Sequence, residues 1–242
     1  MAGAGAGAEA GPAAGGEEEA TKETTAEDLE AHVDGLRRIL RDAQRAVQLM
    51  RHKTAELGLP NAKIGIVGFS AGGHLACMTA TRCRTGSADS ADPVEKLSSR
   101  PDFACLIYPV VSFMDHGHGG SCGNLLGKDA TEENRKTYSG EFNVSKDTPP
   151  IFMVHANDDF VKVENSVVFY QALNKQNIPV EMHIVSRGGH GFFDGKGWSN
   201  SLAKKHGIRS IPAMWLIDKN GNLVDKNARN GLEGKVEKLL VE

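Results

Sequence analysis

The 242-residue sequence predicts an α/β fold, a parallel sheet with helices on both faces. Apolar runs of strand length, bounded by turn signals, recur at residues 63–69, 103–110, 151–156 and 180–185. Helical stretches at 73–82 and 164–176 separate some of them, and a long amphipathic helix precedes the first. Strands alternating with helices need crossover connections, which leave the strands parallel.

Residues 1–26 are Ala, Gly and Glu with almost no large apolar side chain, so this segment is expected to be disordered. Thr25 then reads as a helix cap, with Asp28 three residues on completing a capping box. Leu29, Val33, Leu36, Leu40, Ala43, Val47 and Met50 follow at alternating spacings of four and three, and Gly58 and Pro60 end the helix. The stripe covers about three heptads, the lower limit for a coiled coil. It is therefore expected to lie against the sheet, with a homo-oligomer through the stripe from Leu29 to Met50 as the alternative. Arg37, Arg38, Arg41, Arg45 and Arg51 then form a solvated, ion-paired face.

Residues 112–149 are rich in Gly and Asp and read as a loop or small cap over the carboxyl ends of the strands, where chemistry gathers in such sheets. After Trp198 a short helix (202–207), a strand (214–218), an Asn-Gly turn, a return strand (223–225) and a final helix (232–241) are expected. The expected units are a disordered segment (1–26), a main domain (27–197) and a C-terminal piece (198–242).

Net charge is −3 with both signs interspersed, which offers neither a basic stripe for nucleic acid nor a polybasic membrane patch. No apolar run approaches the ~20 residues of a membrane helix, and no secretory leader is visible, so the compartment defaults to cytoplasmic. Cys77, Cys83, Cys105 and Cys122 offer no CxxC pair; Cys77 and Cys105 read as buried small hydrophobes.

The strongest chemical signal is Gly68-Phe69-Ser70-Ala71-Gly72, placed after an apolar strand and before a helix. G-x-S-x-G in that context lifts a serine hydroxyl off the sheet edge and aims the following N–H, here that of Ala71, at a developing oxyanion. The glycines are expected to allow a sharp turn and close backbone approach. Serine needs a base, and the base an orienting acid; in this arrangement the chain order is Ser, acid, His. His190, among glycines beyond the last strand, is the candidate base. His155 is at a strand end but precedes the acidic pair, and His183, inside a strand, reads as a satisfied core histidine. Asp158 and Asp159 both follow the 151–156 strand, and spacing does not choose between them.

Arg41–Ala76, with Gly68-Phe69-Ser70-Ala71-Gly72-Gly73-His74-Leu75-Ala76, resembles the bacterial esterase family of acetyl-xylan and feruloyl-esterase-like α/β-hydrolases. So do Tyr108-Pro109-Val110-Val111-Ser112, Asn124-Leu125-Leu126-Gly127, Pro149 through Asp159, Val163-Glu164-Asn165-Ser166, and Gly188 through Phe192. The resemblance covers about two thirds of the chain. It implies Ser70 as nucleophile, Asp159 as acid, His190 as base and a carbohydrate ester as substrate, with no cofactor and no metal. It also implies that several strands, and an HGG-type loop supplying a second oxyanion donor, are missing before the long helix, leaving a partial α/β-hydrolase sheet. His116-Gly117-His118-Gly119-Gly120 imitates that loop, but its place in the chain makes it a cap loop; with Asp115 it lacks the further ligands of a metal site. Leu202 through Gly221 resembles the second half of a TlpA-type thioredoxin-like domain, with Ile211-Pro212 as its proline turn and no CxxC half.

The function expected is serine carboxylesterase action on acyl esters of a carbohydrate. The alternative is an inactive chimera of two incomplete domains, serving as a binding or structural module. A serine peptidase of the same fold shares the triad, but peptidases of that type usually carry a large additional domain for which this chain has no room.

Overall fold

The computed structural model describes residues 25–191, apart from 55 and 60, and the strand residues 216–217 and 223–225. Helix α1 (Ala26–Lys53) carries the capping box: Thr25 Oγ1 accepts the Asp28 N–H at 3.1 Å, and the Asp28 carboxylate accepts the Thr25 N–H at 3.0 Å. Strand β1 (Gly65–Phe69) then runs directly into α2 (Ser70–Thr81), and β2 (Phe103–Ile107), β3 (Ile151–Ala156) and β4 (Val180–Val185) follow, with α5 (Glu164–Lys175) between the last two. All four strands are parallel in the order β1-β2-β3-β4.

Two expectations about layers are corrected. Among the described residues the helices cover one face of the sheet, not both. A right-handed crossover places its helix on a side fixed by the direction of travel across the sheet. Here the strand order never reverses, so α2 and α5 fall on the same face. There they bury Ala76, Cys77, Ala80, Phe169 and Leu173 against Ala104, Leu106, Ile151 and Met153. On the other face Val67, Phe69 and Phe103 remain 41–56% exposed. Cys105 also lies on this side and is half-buried, unlike Cys77.

Helix α1 does not touch this sheet as a flanking layer. Its Val33, Leu36 and Leu40 pack with Met78 of α2, with Phe113, and with Cys122 and Leu126. Two buried amides key it to the loop after α2: Gln44 Nε2 donates to the Arg82 carbonyl at 2.6 Å and Gln48 Nε2 to the Leu97 carbonyl at 2.7 Å. The arginine face behaves as expected in part, with Arg37, Arg45 and Arg51 paired to Asp34, Asp92 and Asp102.

The segment expected as loop or cap contains two helices, α3 (Gly119–Leu126) and α4 (Glu132–Thr137), each capped by its preceding side chain, His118 and Thr131. The glycines that open α3 hide it from periodicity. The buried Asn165 amide ties this segment to α5. Its Oδ1 accepts the Val111 and Ser112 N–H groups at 2.9 and 3.0 Å, and its Nδ2 donates to the His116 carbonyl at 2.9 Å. Of the C-terminal piece, only the antiparallel pair β5 (Leu216–Ile217) and β6 (Leu223–Asp225) is described, at the expected positions. The rest of that piece, and residues 1–24 of the segment expected to be disordered, lie outside the described residues.

Candidate active site

Ser70 occupies the junction between β1 and α2 with φ 52°, the left-handed region that L side chains avoid by roughly 1–2 kcal/mol. Close packing holds it there. A Cβ on Gly68 would fall on the Gly72 carbonyl oxygen and 2.7 Å from the Ala76 methyl, and one on Gly73 would meet Pro109 at 2.7 Å. A Cβ on Gly72 would meet nothing, so the close approach expected of the motif belongs to Gly68 and Gly73. The Ser70 carbonyl accepts the Val110 N–H at 3.0 Å, which fastens the turn to the segment after β2. Ala71 lies in the first turn of α2, where N–H groups have no partner within the helix.

The structure brings Ser70, His190 and Asp159 together in series. Ser70 Oγ lies 2.7 Å from His190 Nε2, and His190 Nδ1 lies 2.9 and 3.0 Å from the two Asp159 oxygens. Burial alone would raise the Asp159 pKa, but hydrogen bonds from His155, the Val161 N–H and His190 outweigh it and hold the carboxyl below its ordinary value. The carboxylate therefore accepts, His190 carries its proton on Nδ1, and Nε2 presents a lone pair to the serine hydroxyl.

Geometry separates the two neighbouring aspartates. The Asp159 side chain is fully buried. Asp158 points the other way: its Oδ1 accepts the Gly188 and Gly189 N–H groups, both at 2.8 Å, and so clamps the loop that carries His190. Those backbone bonds, the Gly189 one first, lower its pKa.

His155 is a satisfied buried histidine. Its Nε2 donates to the Val161 carbonyl at 2.8 Å and passes 3.5 Å from Asp159, while Ser166 Oγ donates to Nδ1 at 2.9 Å. His183, expected in the core, is corrected: its side chain is half-exposed and pairs with Glu181 at 2.6 Å. Aromatic side chains flank the His190 ring. Tyr108 meets it edge-on at 4.9 Å between centroids, and Phe160 lies at 4.4 Å. Sequence reasoning weighed His155 only as a rival base, and it missed Phe160 and the clamping role of Asp158, since neither has a signal in periodicity or spacing.

A strained serine at a strand–helix junction, relayed through histidine to a buried aspartate on the carboxyl edge of a parallel sheet, defines the α/β-hydrolase class. Comparison narrows this further: residues 36–173 match the BD-FAE family, and the chain belongs to it. An acetyl ester-xyloside bifunctional hydrolase from Caldicellulosiruptor lactoaceticus is 44% identical, with a TM-score of 0.61, over 63% of this chain and 56% of that one. Endo-1,4-beta-xylanase B of Butyrivibrio fibrisolvens is 34% identical over 66% of this chain. Acetylxylan esterase of Xylanibacter ruminicola is 31% identical over 71%. The chain spans only 26% and 35% of the lengths of these last two. The thioredoxin-like resemblance of residues 198–242 finds no support in these relatives.

Proposed function

We propose that the chain is a serine carboxylesterase domain that removes acetyl or other acyl groups from a carbohydrate. The observation that carries this reading is the unbroken series Ser70–His190–Asp159. Ser70 Oγ attacks the ester carbonyl carbon as its proton passes to His190 Nε2, and the Ala71 N–H faces the developing oxyanion. The tetrahedral centre collapses, the bond to the alcohol oxygen breaks, and His190 returns the proton to that oxygen. Water, deprotonated by His190, then releases the acid from Ser70. Asp159 holds the Nδ1–H tautomer and balances the imidazolium throughout. The carbohydrate alcohol is supported by two relatives, an acetyl ester-xyloside bifunctional hydrolase and an acetylxylan esterase.

The test is p-nitrophenyl acetate hydrolysis and fluorophosphonate labelling of the protein beside its Ser70→Ala variant. Turnover and label that disappear together in the variant are expected. A folded protein that takes no label would overturn the reading. It would favour instead an inactive chimera acting as a binding or structural module, for which the uncovered sheet face of Val67, Phe69 and Phe103 offers a surface.

A further inference from the structure

Phe160 is a large apolar side chain left 66% exposed, immediately after the buried Asp159. Its ring rests 4.4 Å from the His190 ring, and on another side lies His118 of the cap segment, 5.6 Å between centroids. Nothing in the fold requires a phenyl group in water there. Its neighbour His118 caps α3: Nδ1 accepts the Ser121 N–H at 3.2 Å and lies 2.9 Å from Ser121 Oγ, an arrangement that leaves Nε2 to carry the proton. Among the described residues that Nε2–H has no hydrogen-bond partner. The pair thus offers an open aromatic surface and an adjacent unengaged donor.

Catalysis fixes which part of a substrate meets this pair. The acyl carbon must sit on Ser70 Oγ with its oxygen toward the Ala71 N–H. The departing alcohol oxygen must lie against His190 Nε2, because it takes its proton there. The body of the alcohol therefore extends past the imidazole, and Phe160 is the exposed group beside that imidazole. An acetyl group bonded to Ser70 has no atoms to reach across it. A pyranose ring suits the surface chemically: its axial C–H groups form an apolar face for the phenyl ring, and its hydroxyls accept from an imidazole N–H.

We propose that Phe160 and His118 form the subsite for the alcohol half of the substrate, a pyranose ring stacked on Phe160 and hydrogen-bonded to His118 Nε2. This rests on the esterase reading for its orientation, but its test does not depend on turnover. An acetylated xylo-oligosaccharide is titrated into the inactive Ser70→Ala protein and into Ser70→Ala carrying Phe160→Leu, Phe160→Tyr or His118→Ala, with binding followed by calorimetry. Phe160→Leu keeps apolar packing on His190 but removes the ring. It is expected to weaken binding about tenfold, with Phe160→Tyr restoring it and His118→Ala costing a similar factor. Equal affinity in the parent and the Leu variant, or no binding to the parent at millimolar sugar, would overturn the subsite.

In the active protein, Phe160→Leu should lower the ratio of kcat/KM on the acetylated oligosaccharide to that on methyl acetate, which has no ring. A changed preference for acyl chain length with that ratio unmoved would place Phe160 on the acyl side and overturn the assignment. Failure of the esterase reading is read separately, from loss of fluorophosphonate labelling at Ser70.

Discussion

His74 follows the serine motif in α2 but takes no part in the relay, and it couples stability to pH in a way that can be worked out. It is fully buried, its Nε2 donates to the Tyr138 carbonyl at 2.7 Å, and its ring lies tilted against Phe113 at 4.6 Å between centroids. Burial pushes its pKa from 6.5 down to about 4, the bond to Tyr138 offsetting only part of the cost of a charge there. As pH falls below 6.5 the unfolded chain takes up a proton at this residue, while the folded chain does not until about pH 4. Stability is therefore full above 6.5 and lost progressively through that window. A gap of roughly 2.5 units at ~1.36 kcal/mol each makes the loss about 3 kcal/mol, most of it complete by about pH 4.5. Urea unfolding at pH 7.5 and 4.5 should show it for the native protein. In a His74→Gln variant the amide still donates to Tyr138 but does not titrate, so that component should vanish. Carboxylates such as Asp159 titrate in both proteins and cancel in the difference. Equal losses in the two, or a His74 ring seen by NMR to titrate near 6.5, would refute the reasoning.

Two further outcomes follow from the site. Ser70→Gly should abolish turnover yet stabilise the fold by about 1 kcal/mol relative to Ser70→Ala in thermal unfolding, because glycine accepts the left-handed φ that alanine retains under strain. Asp158→Ala should lower kcat by on the order of 10- to 100-fold by releasing the Gly188 and Gly189 amides, while Asp158→Asn, which keeps an acceptor oxygen, should retain most of the rate. Equal losses in both Asp158 variants would mean that its charge, not the clamp, matters.

How far the site was legible depends on what kind of constraint fixed each residue. Ser70 announces itself because a strand, a sharp turn and a helix must succeed one another within a few residues, and such local geometry leaves a pattern. The strands at 151–156 and 180–185 match β3 and β4 residue for residue, since each is a buried or half-buried run with clear turn signals. Asp158 and Asp159 could not be told apart, because the difference between them is which one the fold buries, and the groups around the buried one include Val161 and His190 from beyond the strand as well as His155 within it. The helices of the cap segment escaped because His118 and Thr131 cap short, glycine-bearing or charged stretches with little apolar period. The one-sided layering escaped because strand order is a property of the whole chain. The same alternation of strands and helices is compatible with a sheet that reverses direction and with one that does not.

That strand order also explains the loop carrying His190. Ser70 follows β1 at one edge of the described sheet, and His190 follows β4 at the other, so three strand spacings, about 14 Å, separate their strands. From Val185 to His190 the chain has five residues, a reach of at most about 17 Å when fully extended. The imidazole and serine side chains span part of that gap, so the loop backbone crosses only part of the way, and its position decides whether the imidazole reaches Ser70. Two restraints act on it from the end of β3, the strand beside β4. Asp158 holds the backbone at Gly188 and Gly189, the latter with φ 60°, and Asp159 holds the imidazole itself. The adjacent carboxylates thus do different jobs on one loop, the outer one fixing where it crosses and the inner one fixing which nitrogen faces the serine.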